Sequence, residues 1–90
     1  MKVKFFAFIR KYAGNTKERD DVEAHTLYEL LDKLGREYGS TFKAKVFPDN
    51  KVSEDVIILI NGVHIVHLDG TNTQLKEDDV VSIFPKVFGG

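Results

Sequence analysis

A capped amphipathic helix is the strongest local signal in the chain, and the rest of the sequence must supply something to cover its apolar side. Leu27, Leu30, Leu31, Leu34 and Tyr38 recur three or four positions apart and form one stripe. Thr26-Leu27-Tyr28-Glu29 predicts a capping box, in which the threonine hydroxyl takes one orphan N–H and the glutamate reaches back for another. Glu29 with Lys33, and Asp32 with Arg36, stand four apart on the wet side, and Gly39 is a natural stop. A helix with one apolar side packs on a sheet, so strands are expected on both flanks.

Residues 2–9 alternate. Val3, Phe5, Ala7 and Ile9 fall on one side and Lys2, Lys4, Phe6 and Phe8 on the other, which predicts a strand with its odd face in the core. Two phenylalanines beside two lysines on the even face read either as a partly covered sheet face or as a docking patch for a partner protein. Ala13-Gly14-Asn15 is a turn, and the polar stretch 16–23 is expected to pair with the first strand as an edge.

Beyond the helix, Phe42, Val46 and Phe47 suggest a short helical turn on the core, closed by Pro48-Asp49-Asn50. Residues 56–60 are an unbroken apolar run, read as a buried strand, and Asn61-Gly62 is the strongest hairpin signal present. Residues 63–68 are the expected return strand, Asp69-Gly70 turns the chain, and 80–84 form a last strand ended by Pro85. The order of hairpin, helix, hairpin and strand predicts an α+β fold: a mixed sheet covered on one face by one main helix. No repeat or linker interrupts it, and 90 residues, 42% of them hydrophobic, suit a single domain over 1–90.

Several function classes are excluded at this level. The net charge of −1 and the interleaving of lysines with acids give no footprint for nucleic acid or anionic lipid. No apolar run approaches the roughly 20 residues that span a bilayer, and the first residues are not patterned as a signal peptide, so a cytoplasmic location is expected. The chain has no cysteine, which removes disulfides, thiolate metal sites and a cysteine nucleophile. His64 and His67 in one strand would point to opposite faces, so they are read, with His25, as surface residues and not as a metal or acid–base pair. Glu77-Asp78-Asp79 is read as turn chemistry. With no serine–histidine–acid motif and no phosphate loop, the chain is not expected to be an enzyme or to bind a metal or cofactor itself.

The remaining motif is FPKVFGG. Proline lacks the N–H that a central ladder needs, so residues 85–90 are expected to project as an extended tail. Gly89 and Gly90 have no Cβ, so they suit a narrow channel in another protein and leave the Gly90 carboxyl uncrowded. A terminal carboxyl titrates near about 3.5, so it is an anion and a poor electrophile at neutral pH. It must be activated, for example by adenylation, with ATP and Mg²⁺ held by a partner. Phe6, Phe8, Phe84 and Pro85, with Val87 and Phe88 of the tail, are the apolar residues a partner is expected to grip.

These residues carry a family likeness. The segment ILINGVHIVHLDGTNTQLKEDDVVSIFPKVFGG resembles the C-terminal half of the ubiquitin-like sulfur carriers, and KVKFFAFIRKYAG resembles their first strand and turn. The likeness is greatest to the small subunit of molybdopterin synthase and to the archaeal small modifier proteins. It departs from them at Glu77-Asp78, where Asp-Gly is common, and at Phe88, where a small residue usually precedes the glycines. The resemblance implies a β-grasp fold and a carrier cycle. Gly90 would be adenylated by a ubiquitin-activating-type enzyme and converted to a thiocarboxylate. In the large subunit of molybdopterin synthase it would then donate sulfur during molybdenum cofactor synthesis. A chain without cysteine could not carry sulfur as a persulfide, which agrees with this chemistry. Conjugation of Gly90 to lysines of target proteins is the alternative, and an interaction module with an inert tail is the third.

Overall fold

The computed structural model describes residues 1–86; the expected tail residues Val87, Phe88, Gly89 and Gly90, and the projection expected of them, lie outside the described residues. Five strands form one mixed sheet: β1 (Lys2–Phe5), β2 (Glu18–Arg19), β3 (Val56–Ile60), β4 (Val63–His64) and β5 (Val80–Pro85). Their order is β2-β1-β5-β3-β4, with β1 parallel to β5 and the other neighbours antiparallel. Three α-helices accompany them among the described residues: α1 (Ile9–Tyr12), α2 (Leu27–Tyr38) and α3 (Ser40–Val46).

The helix α2 forms as its sequence predicts. Thr26 Oγ1 accepts from the Glu29 N–H at 3.1 Å, and Glu29 Oε2 accepts from the His25 N–H at 3.1 Å. Leu27, Leu30, Leu31 and Leu34 are buried against Val3, Phe5, Val56, Ile58, Ile60, Val81 and Ile83 of the sheet. The two i,i+4 ion pairs are present, Lys33 to Glu29 at 3.3 Å and Arg36 to Asp32 at 3.2 Å. Gly39 stops α2 with φ of 97°, and α3 starts at once, burying Phe42 and Val46. Phe5 meets Tyr38 and Phe42 edge-on, with ring centroids 6.0 and 6.5 Å apart.

The first strand is shorter than its alternation suggests. It ends at Phe5, because Ala7 adopts a left-handed backbone (φ 52°) and the chain turns into α1. The Phe5 carbonyl accepts from Arg10 Nε at 2.8 Å in place of a continuing ladder. Ala7, expected in the core, is therefore exposed. Ile9 does reach the core, but from a helix, four positions before buried Ala13. Helical and strand periods coincide at this one residue.

At the far edge, β2 keeps only two residues of the polar stretch 16–23, pairing Val3 with Arg19 and Lys4 with Glu18. Arg19 fastens this edge to the end of α2. Its guanidinium donates to Asp21 at 2.9 Å, to the Tyr38 hydroxyl at 2.8 Å and to Glu37, and lies over the Tyr38 ring. Asp21 foremost, then Glu37, hold the Arg19 pKa above its ordinary value, and Arg19 in turn holds the Asp21 carboxyl below the usual range.

The hairpin after β3 is the two-residue turn expected, with Asn61 at φ 52° and Gly62 at φ 83°. The return strand is not as long as expected. After His64 the chain winds into a 3₁₀ turn over Ile65–His67, because His64 Nδ1 accepts from the Val66 N–H at 3.1 Å and Ile65 swings into the core. This corrects the placing of His64 and His67 on opposite faces. Their rings meet edge-on with centroids 6.5 Å apart, while His25 is exposed beside Glu29. Among the described residues no group of three or more side chains could hold a metal ion, and no helix is long and apolar enough to cross a membrane.

Candidate functional site

The helices cover one face of the sheet, so the side chains of opposite parity share the other. The strand registers place Phe6 beside Phe84 and Phe84 across from Ile57, and then Lys4, Ser82, Leu59 and His64 in one row. All of these residues are half-buried. Phe6 and Phe84 stack with ring centroids 4.2 Å apart and planes 9° from parallel. Parallel pairing of β1 with β5 brings the two rings together, since Phe5 and Ile83 are partners and each phenylalanine is the next residue.

This apolar platform stands at the end of the sheet where β1 and β5 both finish. The Phe6 N–H still donates to the Ile83 carbonyl at 3.0 Å, and the Lys86 N–H donates to the Asp55 carbonyl at 2.7 Å. One backbone bond thus follows, but β5 itself ends at Pro85, as expected. Successive residues face opposite sides, so its nitrogen looks toward β1 beyond the end of that strand, where no ladder bond is needed.

Of the four residues expected in a partner interface, Phe6 and Phe84 come together on the open face. Phe8 does not join them. It is 53% exposed and leaves with α1, edge-on to Tyr12 at 6.4 Å. Pro85 is buried, so its expected part in the contact surface is corrected: its parity turns it to the core side. Sequence reasoning did not assign Ile57 and Leu59 to this platform, having taken 56–60 as a strand buried on both sides. An apolar run with no polar alternate was the signal, because it leaves the second face apolar as well.

The electrostatics nearby are quiet. Lys4 is the cation within the platform rows, and Lys2 on the same parity pairs with Glu18 at 3.4 Å. Glu29, whose carboxyl is held low mainly by the His25 N–H and then by Lys33, belongs to the helix cap, not to this face. An apolar face edged by lysines is suited to docking.

One long helix crossing a mixed sheet of order β2-β1-β5-β3-β4 is the β-grasp, ubiquitin-like architecture. A protein-family model described as the ThiS family matches residues 3–90, and the chain belongs to that family. Small archaeal modifier protein 3 of Haloferax volcanii is 37% identical over 92 aligned residues, covering 100% of this chain and 98% of its own length. A putative sulfur carrier protein of Archaeoglobus fulgidus is 30% identical over 70 residues, 78% of this chain and 80% of its own. The solution structure of small archaeal modifier protein 1 from Methanosarcina acetivorans superposes with a TM-score of 0.81 at 33% identity, covering 99% of this chain and 94% of the other. The fold and family expected from the sequence both hold. The chain is a member of the ubiquitin-like sulfur carriers and small modifiers.

Proposed function

We propose that the chain is a sulfur carrier that works through the Gly90 carboxyl as the small, non-catalytic subunit of a molybdopterin synthase. The observation that supports this most is the family match, which covers residues 3–90 and so includes Gly89 and Gly90. The Gly90 carboxylate attacks the α-phosphorus of MgATP on an activating enzyme, and pyrophosphate leaves. A hydrosulfide equivalent from a sulfur-donating protein then adds to the acyl carbon, AMP leaves, and Gly90 ends in a thiocarboxylate. In the large subunit that sulfur passes to a pterin precursor, and water restores the carboxylate.

This chain's own residues supply the handle. Phe6, Phe84, Ile57 and Leu59 dock on the activating enzyme and on the large subunit, while Val87 and Phe88 lead the two glycines into the partner's channel. Phe88 calls for a channel wide enough for an aromatic ring at its mouth. ATP and Mg²⁺ are bound by the activating enzyme. The test is the intact mass of the chain recovered from its own cells under non-oxidising conditions. The carrier reading expects a species with one oxygen exchanged for sulfur that disappears when Gly90 is deleted. Detection of the free acid only, where a control thiocarboxylate survives, refutes it.

A second reading, a protein modifier, is favoured by the full-length likeness to small archaeal modifier protein 3. It uses the same activated carboxyl, with a target lysine amine displacing AMP to form an isopeptide. Val-Phe-Gly-Gly remnants, left where trypsin cuts after Lys86, on lysines of cellular proteins and lost with this chain's gene are its expected mark. A Gly90 deletion that leaves every phenotype and every partner unchanged points instead to an inert tail.

A further inference from the structure

We propose that Asn61 is a site of spontaneous deamidation, held back by Asp79 and destabilising through Asp79 once it has occurred. Succinimide formation at asparagine requires the next backbone nitrogen to attack the side-chain amide carbon, and a Cβ on the following residue obstructs that approach. Asn15, Asn50 and Asn61 all have a left-handed backbone, but Asn15 precedes Thr16 and Asn50 precedes Lys51. Asn61 precedes Gly62, which is exposed and has open space where a Cβ would stand. The Gly62 nitrogen loses its proton and bonds to Cγ of Asn61, and the Cγ–Nδ2 bond breaks to release ammonia. Water then opens the ring at either carbonyl, leaving aspartate or its β-linked isomer. No oxidant or cofactor is involved.

The amide that must react is engaged on both sides. Asn61 Nδ2 donates to Asp79 Oδ1 at 2.8 Å, and Asn61 Oδ1 accepts from the Val80 N–H at 2.9 Å. A carboxylate can only accept and a backbone N–H can only donate, so this orientation of the amide is chemically enforced. The same knot includes the Asn61 N–H on the Val80 carbonyl at 2.8 Å and the Lys76 N–H on Asp79 Oδ2 at 2.8 Å. Asn61 thus pins the β3–β4 hairpin to the start of β5, the strand that leads to the tail. Conversion to a carboxylate replaces the donor facing Asp79 with a second negative acceptor, so an attraction becomes a repulsion.

The experiment uses the full-length chain incubated in mildly alkaline buffer, with the tryptic peptide covering 52–76 sequenced by mass spectrometry. The mass gain of NH2 exchanged for OH is expected at Asn61 and not at Asn72 of the same peptide, which precedes Thr73. Asp79→Ala is expected to react about tenfold faster, because the amide no longer has to leave a charge-assisted hydrogen bond. Asp79→Asn, which keeps a neutral acceptor, is expected to fall between the two. In urea, Asn61→Asp is expected to lower the folding equilibrium constant about tenfold, and the loss should shrink at high salt and in the double variant with Asp79→Asn. An Asn61 that survives while Asn72 reacts, a rate indifferent to both Asp79 variants, or an Asn61→Asp chain as stable as the parent would each overturn the proposal.

Discussion

Replacing Phe84 by alanine separates docking from folding on the open sheet face. Its ring is half-buried and stacked on Phe6 at 4.2 Å. Removing a fully buried phenylalanine costs about 3–5 kcal/mol, so a half-buried one should cost about 2 kcal/mol. The stack itself accounts for about 0.5–1.5 kcal/mol of that, and a double-mutant cycle with Phe6→Ala in urea should return a coupling of this size. Even a chain only about 5 kcal/mol stable would keep about 3 kcal/mol after the change, which leaves well over nine molecules in ten folded. Unfolding therefore cannot account for a large loss of partner reaction. If Phe84 anchors the activating enzyme, kcat/KM for adenylation in chain concentration should fall about 30-fold, the scale of a contact worth about 2 kcal/mol. The assay is pyrophosphate exchange with the activating enzyme, run beside circular dichroism of the same variant. An unchanged kcat/KM with the ring removed would show that the platform is not the contact surface, and a coupling near zero would show that the stack is geometric only.

Gly35→Ala should stabilise the chain by about 1 kcal/mol from helix propensity, because the added methyl sits 3.8 Å from Lys43 Cβ, an ordinary contact; a lower urea midpoint would mean that α2 and α3 cannot admit it. Gly39→Ala should destabilise by about 1 kcal/mol in the same assay, since its φ of 97° strains any side chain. Phe42→Ala should cost about 3–5 kcal/mol, as its ring is fully buried against Phe5 and Tyr38. The Glu29 and Asp21 carboxyls lie below their ordinary 4.5 and 3.8 in the folded chain, so they stabilise it above those values, and that stability is lost as pH falls from them through the lower folded-state values. Urea midpoints measured from pH 6 to pH 3 should therefore decline, and Glu29→Gln should flatten the decline; an equally steep decline in the variant refutes the role of the cap.

Local chemistry was legible wherever a few neighbouring residues decide the backbone. The cap at Thr26 and Glu29, the leucine stripe of α2, the turn at Asn61-Gly62 and the stop at Gly39 depend on hydrogen bonds and φ angles within a few positions, and each stands where the pattern puts it. The α+β order of elements and the family likeness were equally readable, since both follow from the succession of such signals along the chain. Tertiary structure decided what alternation alone leaves open. Residues 2–9 alternate throughout, yet the ladder ends at Phe5 because Arg10 takes its carbonyl and Ile9 is buried from a helix. Residues 63–68 were ended as a strand by the His64 side chain, which no period of two or 3.6 encodes. The platform is the clearest case. Phe6 and Phe84 are far apart in sequence, and only the parallel register of β1 on β5 stacks them, while the turn into α1 at Ala7 carries Phe8 away. Side-chain spacing fixes which residues share a face of one strand, but strand register, set by long-range backbone pairing, determines which faces meet.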